Sequence, residues 1–239
     1  MTAALELAVA RRIGEFDLDV AFAVGSGMSV LFGPSGAGKS LTLSLIAGLM
    51  RPDSGTITIN GQVVTDCARR TYVTTQKRRI GMVFQDGLLL PHRSVLDNVA
   101  LAVRQVTGRR ARRSVARTWL ARVGAEELAG RRPGSLSGGQ RQRVALARGL
   151  AGDPALVLLD EPISALDSAV RSELRGLIRG VIISSGVPAV LVTHDADEAE
   201  ELGDVIISYN HGRVTGTRVV DRPVRPEPPR GAPESTGLV

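Results

Sequence analysis

The chain has 239 residues, a length typical of one large domain or of a core with an added lobe, which excludes a large multidomain machine. Hydrophobic residues make up 43% and charged residues 23% of the chain, so the composition is that of a folded globular protein and excludes a disordered or collagen-like one. The net charge of +6 would suit a nucleic-acid binder, an anionic membrane surface or a basic lobe facing a partner, and does not distinguish among them.

Signals for export, membrane insertion and disulfide formation are missing from the sequence. The longest uncharged stretch, residues 20–38, is broken by several glycines and Pro34, so we expect no membrane span. The first residues, MTAALELAVARR, carry no basic segment ahead of an apolar run, so we expect no export signal. The single Cys67 has neither a disulfide partner nor a metal-binding cluster around it, which fits a reducing cytoplasm.

The first third of the chain predicts a small antiparallel sheet and the start of a second sheet. Residues 5–9 and Phe16–Val24 alternate apolar and polar side chains, as half-buried strands do. Met28–Phe32 is a short apolar strand that ends at GPSGAGKS, and a helix is predicted from residue 41. Asn60-Gly61 lies between two strand-like runs and predicts a type I′ hairpin. Residues 66–78 are predicted to be a loop.

The remainder predicts strands alternating with helices. Residues 79–84 form the next strand, residues 94–132 a helical lobe with many arginines, and a further helix follows LSGGQ. The later predicted elements are a strand at 156–159, a helix at 168–183, strand Ala189–Thr193, helix Ala196–Leu202 and a strand at 205–209.

This alternation predicts an α/β fold with a mostly parallel sheet covered on both faces. An N-terminal antiparallel β subdomain and an inserted helical subdomain at about residues 90–150 complete a domain that we expect to span residues 1–220. Residues 221–239 hold five prolines in 19 residues without an apolar period, so we expect a disordered tail.

A phosphate-binding loop is the first chemical motif. Gly33, Gly38, Lys39 and Ser40 match G-x-x-x-x-G-K-[ST] between a predicted strand and a predicted helix, which makes the fold a P-loop NTPase core. In such loops backbone N–H groups surround the phosphates, the lysine reaches the β- and γ-phosphates and the serine hydroxyl ligates Mg²⁺. A chance glycine-rich turn is disfavoured because only two of the 30 basic residues are lysines. The residues expected to bind the nucleotide here are Gly33, Pro34, Ser35, Gly36, Ala37, Gly38, Lys39, Ser40 and Leu41.

Two adjacent carboxylates follow the predicted strand at 156–159. Asp160 and Glu161 should emerge at the carboxyl edge of the sheet, on the side of the phosphate loop. We expect Asp160 to hold Mg²⁺ through water and Glu161 to act as the general base for the attacking water. The alternative is a helix cap or a surface acidic pair after a core strand.

LSGGQ, residues 136–140, is the most specific motif, and with the motifs around it the sequence resembles the ATP-binding subunits of ABC transporters from residue 1 to about 218. In that family this pentapeptide closes over ATP held by the phosphate loop of a second subunit, so the resemblance implies a homodimer formed on ATP binding. Ser137, Gly138, Gly139 and Gln140 are then the residues that contact the partner's ATP.

Further residues match motifs of the same family. Gln85 matches the Q-loop glutamine, which contacts the metal or the attacking water and relays the nucleotide state to the membrane subunit. Asp167 ends the D-loop match SALD, which lies across the dimer, and His194 matches the switch histidine that bonds the γ-phosphate. The expected catalytic set is Glu161, His194, Gln85 and Lys39, and the expected metal set is Ser40, Gln85 and Asp160. For the adenine base, Phe16 stacking, Arg12 stacking and Phe16 as a core side chain all stay open.

The segment from Phe84 to Val99 corresponds to the region that touches the permease in this family and looks like the importer type. GQVVTD, KRRIGMVFQD and LLLPH look most similar to molybdate-importer ATPases, while sulfate or tungstate import remains the alternative. The resemblance implies a peripheral protein on the cytoplasmic face of the membrane, with an extracytoplasmic solute-binding protein as an indirect partner. We expect the C-terminal oxyanion-binding regulatory domain of those ATPases to be absent.

Three alternatives to transport are disfavoured by the sequence. The segment of residues 104–148 has 12 arginines but Trp119 as its only aromatic residue, so we expect a solvated face, in part near the anionic inner leaflet, and no nucleic acid. A soluble ABC-type ATPase acting on DNA or ribosomes would need a coiled-coil insertion or a second fused copy, and this sequence shows neither. A non-hydrolysing subunit would lack Glu161 or His194, and this sequence has both.

Overall fold

The computed structural model of the chain describes residues 3–221, which form two β-sheets and six α-helices. The strands are β1 (Leu5–Ile13), β2 (Phe16–Val24), β3 (Met28–Phe32), β4 (Ser54–Ile59), β5 (Gln62–Asp66), β6 (Thr71–Tyr72), β7 (Ile80–Val83), β8 (Leu156–Asp160), β9 (Ala189–Thr193), β10 (Val205–Asn210) and β11 (Arg213–Val219). The helices are α1 (Lys39–Ala47), α2 (Val95–Ala100), α3 (Arg109–Arg122), α4 (Gly138–Ala151), α5 (Ser168–Ser185) and α6 (Ala196–Leu202).

The N-terminal strands form the predicted antiparallel sheet, in the order β2-β1-β4-β5-β6. In β1 the side chains of Leu5, Leu7 and Val9 are buried and alternate with more exposed residues, as the sequence pattern predicted. Between β4 and β5, Asn60 and Gly61 have φ angles of 47° and 77°. A type I′ turn needs positive φ at both central residues, so the predicted hairpin is confirmed.

The second sheet has the order β11-β10-β3-β9-β8-β7, with β11 antiparallel to β10 and the other neighbours parallel. Each face of this sheet packs against its own apolar cluster: Leu156 and Leu158 of β8 face the side of α1 and the antiparallel sheet, whereas Val157 and Leu159 face α4 and α5. The carboxyl ends of β3, β8 and β9 therefore lie together at one edge.

The helical segment packs on one side of the parallel sheet. Helix α3 packs against α2 and α4 and buries Ala116 and Leu120. Residues 101–108 separate α2 from α3 within the helical lobe predicted at residues 94–132. The helical lobe is thus a set of helices joined by short turns.

The α/β fold class, with its parallel sheet, N-terminal antiparallel sheet and helices, is confirmed. Residues 66–78 contain β6 and a 3₁₀ turn at Thr75–Lys77, so the prediction of a plain loop was wrong there. The physical reason is tertiary: buried Arg78 donates hydrogen bonds to the carbonyls of Leu45 and Ile46 at the end of α1 and holds the segment against it. Of the tail predicted at residues 221–239, residues 222–239 lie outside the described residues.

Across residues 3–221, the helices are too short or too polar for any of them to cross a bilayer.

Candidate functional site

The loop between β3 and α1 exposes its backbone to solvent at the carboxyl edge of the parallel sheet. Gly38 has a φ of 99°, and a Cβ atom there would lie 2.7 Å from Leu18 Cδ1 and 3.1 Å from Phe16 Cζ. Glycine is therefore required both by the backbone angle and by the space. Because α1 begins at Lys39, its N-terminus faces the loop and favours an anion. The exposed residues of the loop are Pro34, Ser35, Gly36 and Ser40, whereas Gly33 and Ala37 are buried.

Lys39 points into this loop. Its side chain is only 4% exposed, and Nζ donates hydrogen bonds to the carbonyl oxygens of Gly33 at 2.7 Å and Pro34 at 2.8 Å. Burial lowers the pKa of Lys39, while the nearby carboxylates Glu161 and Asp160 oppose that shift. Within residues 3–221 no carboxylate forms an ion pair with Lys39, so its ammonium, held inside the loop by two carbonyls, can bind a phosphate.

Ser40 and Asp160 meet at the base of the loop although 120 residues separate them in sequence. The Ser40 hydroxyl donates a hydrogen bond of 2.7 Å to Asp160 Oδ1. Burial raises the pKa of Asp160, and the hydrogen bond from Ser40 opposes this. A hydroxyl and a carboxylate are oxygen ligands of the kind that Mg²⁺ prefers, and Mg²⁺ commonly takes one or two protein ligands with phosphates and waters completing the set. The residues present fit Mg²⁺.

Glu161 and His194 form a second pair at the same edge, from the ends of β8 and β9. His194 Nδ1 lies 3.1 Å from Glu161 Oε1, with side chains 48% and 19% exposed respectively. Glu161 has a φ of 44°, an unfavourable angle for a residue with a side chain, and its N–H donates to Val192 O. The sequence predicted each residue separately, and the contact between them is new. A carboxylate held this way can accept a proton from water while the imidazole orients it.

Gln85 lies two residues beyond β7. Within residues 3–221, no hydrogen bond joins the Gln85 side chain to Ser40 or Asp160, the other expected metal ligands. Instead it lines a hollow of about 190 Å³ whose other walls are Asp86, Gly138, Arg141, Gln142, Pro162, Ala165 and Leu166. The structure therefore brings Gln85 next to the LSGGQ and SALD segments.

The LSGGQ segment begins α4 and makes a reciprocal cap. The Ser137 hydroxyl accepts the N–H of Gln140 at 3.3 Å, and the Gln140 side chain accepts the N–H of Ser137 at 3.0 Å. A Cβ at Gly138 would lie 2.6 Å from Leu166 Cδ2, and one at Gly139 would lie 2.8 Å from Val170 Cγ1. The two glycines thus allow the segment to pack closely against the start of α5.

The remaining predicted residues flank these groups. Asp167 caps α5 by accepting the N–H of Val170 at 3.0 Å, which is a structural role within the chain. Phe16 is partly buried, and its ring lies beside Gly38 of the phosphate loop. Arg12 forms an exposed ion pair with Asp17 at 3.0 Å. Leu41, in the first turn of α1, packs against the core.

Two residues of α4 that the sequence analysis missed hold the backbone after β7. Gln142 Nε2 donates to the carbonyls of Phe84 at 3.1 Å and Gln85 at 3.0 Å. The guanidinium of Arg148 donates to the carbonyls of Gly87 and Leu88, both at 2.7 Å. Helix α4, which Ser137 caps, is therefore hydrogen-bonded to the segment that contains Gln85. The signal for Gln142 was its place on the buried face of α4, beside Ala145 and Leu146.

A buried carboxyl behind His194 was also missed. Glu198 is 2% exposed, and its Oε2 accepts the Thr193 hydroxyl at 2.6 Å, while the same hydroxyl accepts the N–H of Asp195 at 3.0 Å. These bonds hold the backbone on both sides of His194. The sequence signal was its position on the face of α6 that carries Ala199 and Leu202.

Glu198 should make stability depend on pH. Burial is the main cause that raises its pKa to about 7; Asp195 and Glu161 add to the shift, while the Thr193 hydrogen bond and Arg175 oppose it. Between the ordinary value of 4.5 and about 7, the folded chain retains a proton that the unfolded chain has released. The free energy of unfolding therefore falls as pH rises through this window, by on the order of 3 kcal/mol.

Glu198→Gln removes this titration. In urea unfolding at several values between pH 5 and 8, the wild type should lose stability relative to the variant as pH rises. Parallel curves for the two proteins would contradict the burial of an ionisable Glu198. The comparison uses slopes, so any constant effect of the amide cancels.

Comparison with known proteins decides the family. The family model described as "ABC transporter" matches residues 18–164. The chain belongs to the ABC transporter family. This ABC transporter protein is 43% identical over 203 residues to the molybdenum import ATP-binding protein ModC of Mycobacterium tuberculosis, covering 82% of the chain and 55% of the relative. It is likewise 43% identical over 213 residues to the protein of that name from Brucella melitensis, covering 89% and 59%. The chain thus spans just over half the length of these curated relatives.

Solved structures of the family match the fold. The dimeric structure of MJ0796, a bacterial ABC transporter cassette, has a TM-score of 0.76 and 32% identity over 91% of this ABC transporter protein and 99% of that chain. A post-hydrolysis dimer of the same cassette, bound to ADP and Pi, has a TM-score of 0.75. CbiO1 from Clostridium perfringens, part of the ABC transporter complex cbiONQ, has a TM-score of 0.78 and 25% identity over 91% and 88%.

Proposed function

We propose that the chain is the ATP-hydrolysing subunit of a membrane importer, with residues 1–220 as the ATPase domain and about 90–150 as its helical subdomain. One observation carries the proposal: the Ser40–Asp160 and Glu161–His194 pairs lie together at the carboxyl edge beside Lys39. Phosphoryl transfer to water requires ligands for Mg²⁺, a general base for the attacking water and a cation that binds the phosphates. We assign these roles to the Ser40–Asp160 pair, the Glu161–His194 pair and Lys39.

ATP binding begins with the phosphate loop. Lys39 exchanges the carbonyls of Gly33 and Pro34 for the β- and γ-phosphates, and the N-terminus of α1 adds further N–H donors. Ser40 and Asp160, with Gln85, would hold Mg²⁺, which would neutralise phosphate charge. Phe16, beside the loop, packs against the adenine.

Hydrolysis uses the second pair. The Glu161 carboxylate takes a proton from the attacking water. His194 contacts both that carboxylate and the γ-phosphate, and so orients one relative to the other. Glu198 and Thr193 keep the backbone around His194 in place. Each of these groups positions or moves a proton, and no covalent enzyme intermediate is needed.

A second copy completes each nucleotide site. Ser137, Gly138, Gly139 and Gln140 bind the γ-phosphate held by the partner, and Asp167 lies across the same interface. Dimeric relatives support this arrangement. Hydrolysis removes the phosphate that joins the two halves, so the dimer reopens, and ATP drives the cycle by binding the closed state more tightly.

The permease docks through the segment from Phe84 to Val99. This segment borders a groove of about 660 Å³, in which Leu88, Leu90 and Leu101 are 55%, 37% and 47% exposed. Exposed apolar side chains around a groove favour a protein partner. Docking would hold the chain at the cytoplasmic face of the membrane, and a solute-binding protein would act through the permease.

Molybdate is the proposed substrate, because relatives that are 43% identical are named molybdenum import proteins. Sulfate or tungstate is the alternative, since the ATPase does not touch the solute. The permease and the solute-binding protein would set the specificity.

Purification of the tagged chain from membranes tests the transport assignment. A transport ATPase should co-purify with an integral-membrane permease, and a Leu88→Asp/Leu90→Asp variant should lose that association while keeping its ATP affinity. Recovery of the wild type with ribosomes or DNA would contradict the proposal and support the soluble class of ABC ATPase. Leu49→Asp, which alters an exposed leucine in the turn after α1, is the control.

A further inference from the structure

Five arginines of α3 form a continuous basic surface, which we call the arginine face: Arg109, Arg110, Arg112, Arg113 and Arg117. Arg113 is half-buried and pairs with Asp97, with hydrogen bonds of 2.8 to 3.0 Å. The other four are exposed. In the part of the chain that the structure describes, these four form no ion pair with a carboxylate within 4.0 Å. Asp97 also interacts electrostatically with Arg109, so Arg110, Arg112 and Arg117 carry the uncompensated positive charge of the face.

Folding alone does not account for this charge. The packing of α3 rests on the buried side chains of Ala116 and Leu120, whereas Arg110 and Arg117 are exposed. Like charges at i and i+4, such as Arg113 and Arg117, weaken a helix, and the first turn has no acidic residue. Charges that the helix disfavours point to a role in binding an anionic partner.

The arginine face adjoins the permease groove. A shallow hollow between α2 and α3 is bordered by Leu101, Arg109 and Arg113. Leu101 also borders the larger groove proposed for the permease, and Arg109 and Arg113 belong to the arginine face. The basic surface is thus continuous with the proposed docking groove.

We propose that the arginine face binds the phosphate groups of anionic phospholipids beside the permease, an inference that rests on the proposed transport function. Guanidinium groups bind phosphate oxygens in a bidentate manner and suit a surface of many phosphates. The electrostatic attraction would orient each subunit against the membrane.

Two other partners fit the surface less well. Proteins that bind single-stranded nucleic acid commonly stack its bases on aromatic side chains, but Trp119 is half-buried and covered by Arg122 at 4.6 Å. A protein segment usually needs an apolar anchor, and among residues 3–221 the exposed large hydrophobic side chains include none from α3.

Vesicle co-sedimentation of the full chain, without permease, tests the inference. The probes are phosphatidylcholine vesicles with and without phosphatidylglycerol. Arg110→Gln/Arg117→Gln should lower the partition coefficient for the anionic vesicles about 30-fold, because each basic residue near an anionic surface contributes about 1 kcal/mol. The control, Arg69→Gln/Arg213→Gln, removes the same charge from two exposed positions elsewhere and should change it little.

Three results would overturn the inference. The wild type could ignore phosphatidylglycerol, or both double variants could lose binding equally, which would indicate only net charge. Vesicle binding could also stay unchanged while Arg110→Gln/Arg117→Gln loses an oligonucleotide or loses the permease in lipid-free detergent, which would assign a nucleic acid or a protein segment instead. ATP hydrolysis and permease co-purification are measured separately, so failure of the proposed function is distinguished from failure of lipid binding.

Discussion

Glu161→Gln is expected to lower kcat for ATP hydrolysis by about 10²- to 10⁴-fold, the usual contribution of a general base. The amide keeps the size of the side chain and can still contact His194, but it cannot accept the proton of the attacking water. ATP affinity should persist, because Lys39 and Ser40 are unchanged. Since hydrolysis reopens the proposed dimer, the variant should accumulate as a dimer when ATP is added.

Steady-state ATPase assays and light scattering measure the two effects together. Glu127→Gln, at an exposed position of the helical segment, is the matched control and should behave as the wild type. Undiminished turnover in Glu161→Gln would place the base elsewhere. A monomer in the presence of ATP would contradict the shared nucleotide site.

Lys39→Ala is expected to weaken ATP binding by on the order of 10- to 100-fold, because hydrogen bonds from a charged donor contribute about 1.5–3 kcal/mol. Hydrolysis should fall with it, since the ammonium also faces the γ-phosphate in the proposed complex. Lys39→Arg should be impaired as well, because the planar guanidinium is larger than the buried space around an ammonium that is 4% exposed.

Lys77 offers a natural control, as the other of the two lysines in the chain. It is exposed in the 3₁₀ turn at Thr75–Lys77, and Lys77→Ala should leave ATP affinity and the rate of hydrolysis unchanged. Titration with a fluorescent ATP analogue measures the affinity. Equal affinities of Lys39→Ala and the wild type would contradict the phosphate role of Lys39.

Local signals explain which parts of the site were predictable. The phosphate loop follows from a run of glycines between an apolar strand and a helix, and the fold class follows from strands alternating with helices. Asp160 and Glu161 were placed at the sheet edge because they end an apolar strand. In each case the sequence neighbourhood alone carries the information.

Other features depend on the order of strands, which the sequence does not display. The contact of Glu161 with His194 requires β8 beside β9, and the bond of Ser40 to Asp160 spans 120 residues. The fastening of Gln142 and Arg148 to residues 84–88 likewise depends on how α4 packs against β7. Most of the functional side chains could be predicted from the sequence, whereas their hydrogen-bond and ion-pair partners depend on tertiary packing.

Gly138 and Gly139 illustrate the difference. The resemblance implies that they contact the partner's ATP, a role that remains a prediction. The structure adds that the start of α4 packs so closely on Leu166 and Val170 that side chains at either glycine would clash. That contact depends on helix packing and has no local signature.

The transport proposal is best tested by measuring uptake of molybdenum, tungsten and sulfur in the source organism, with the chain replaced by its Glu161→Gln form. We expect loss of molybdenum uptake with sulfur uptake intact, because the variant would bind the permease without driving it. Loss of sulfur uptake alone would assign the alternative substrate. If the uptake of all three is unchanged, the chain does not power import of these oxyanions and the transport proposal is contradicted.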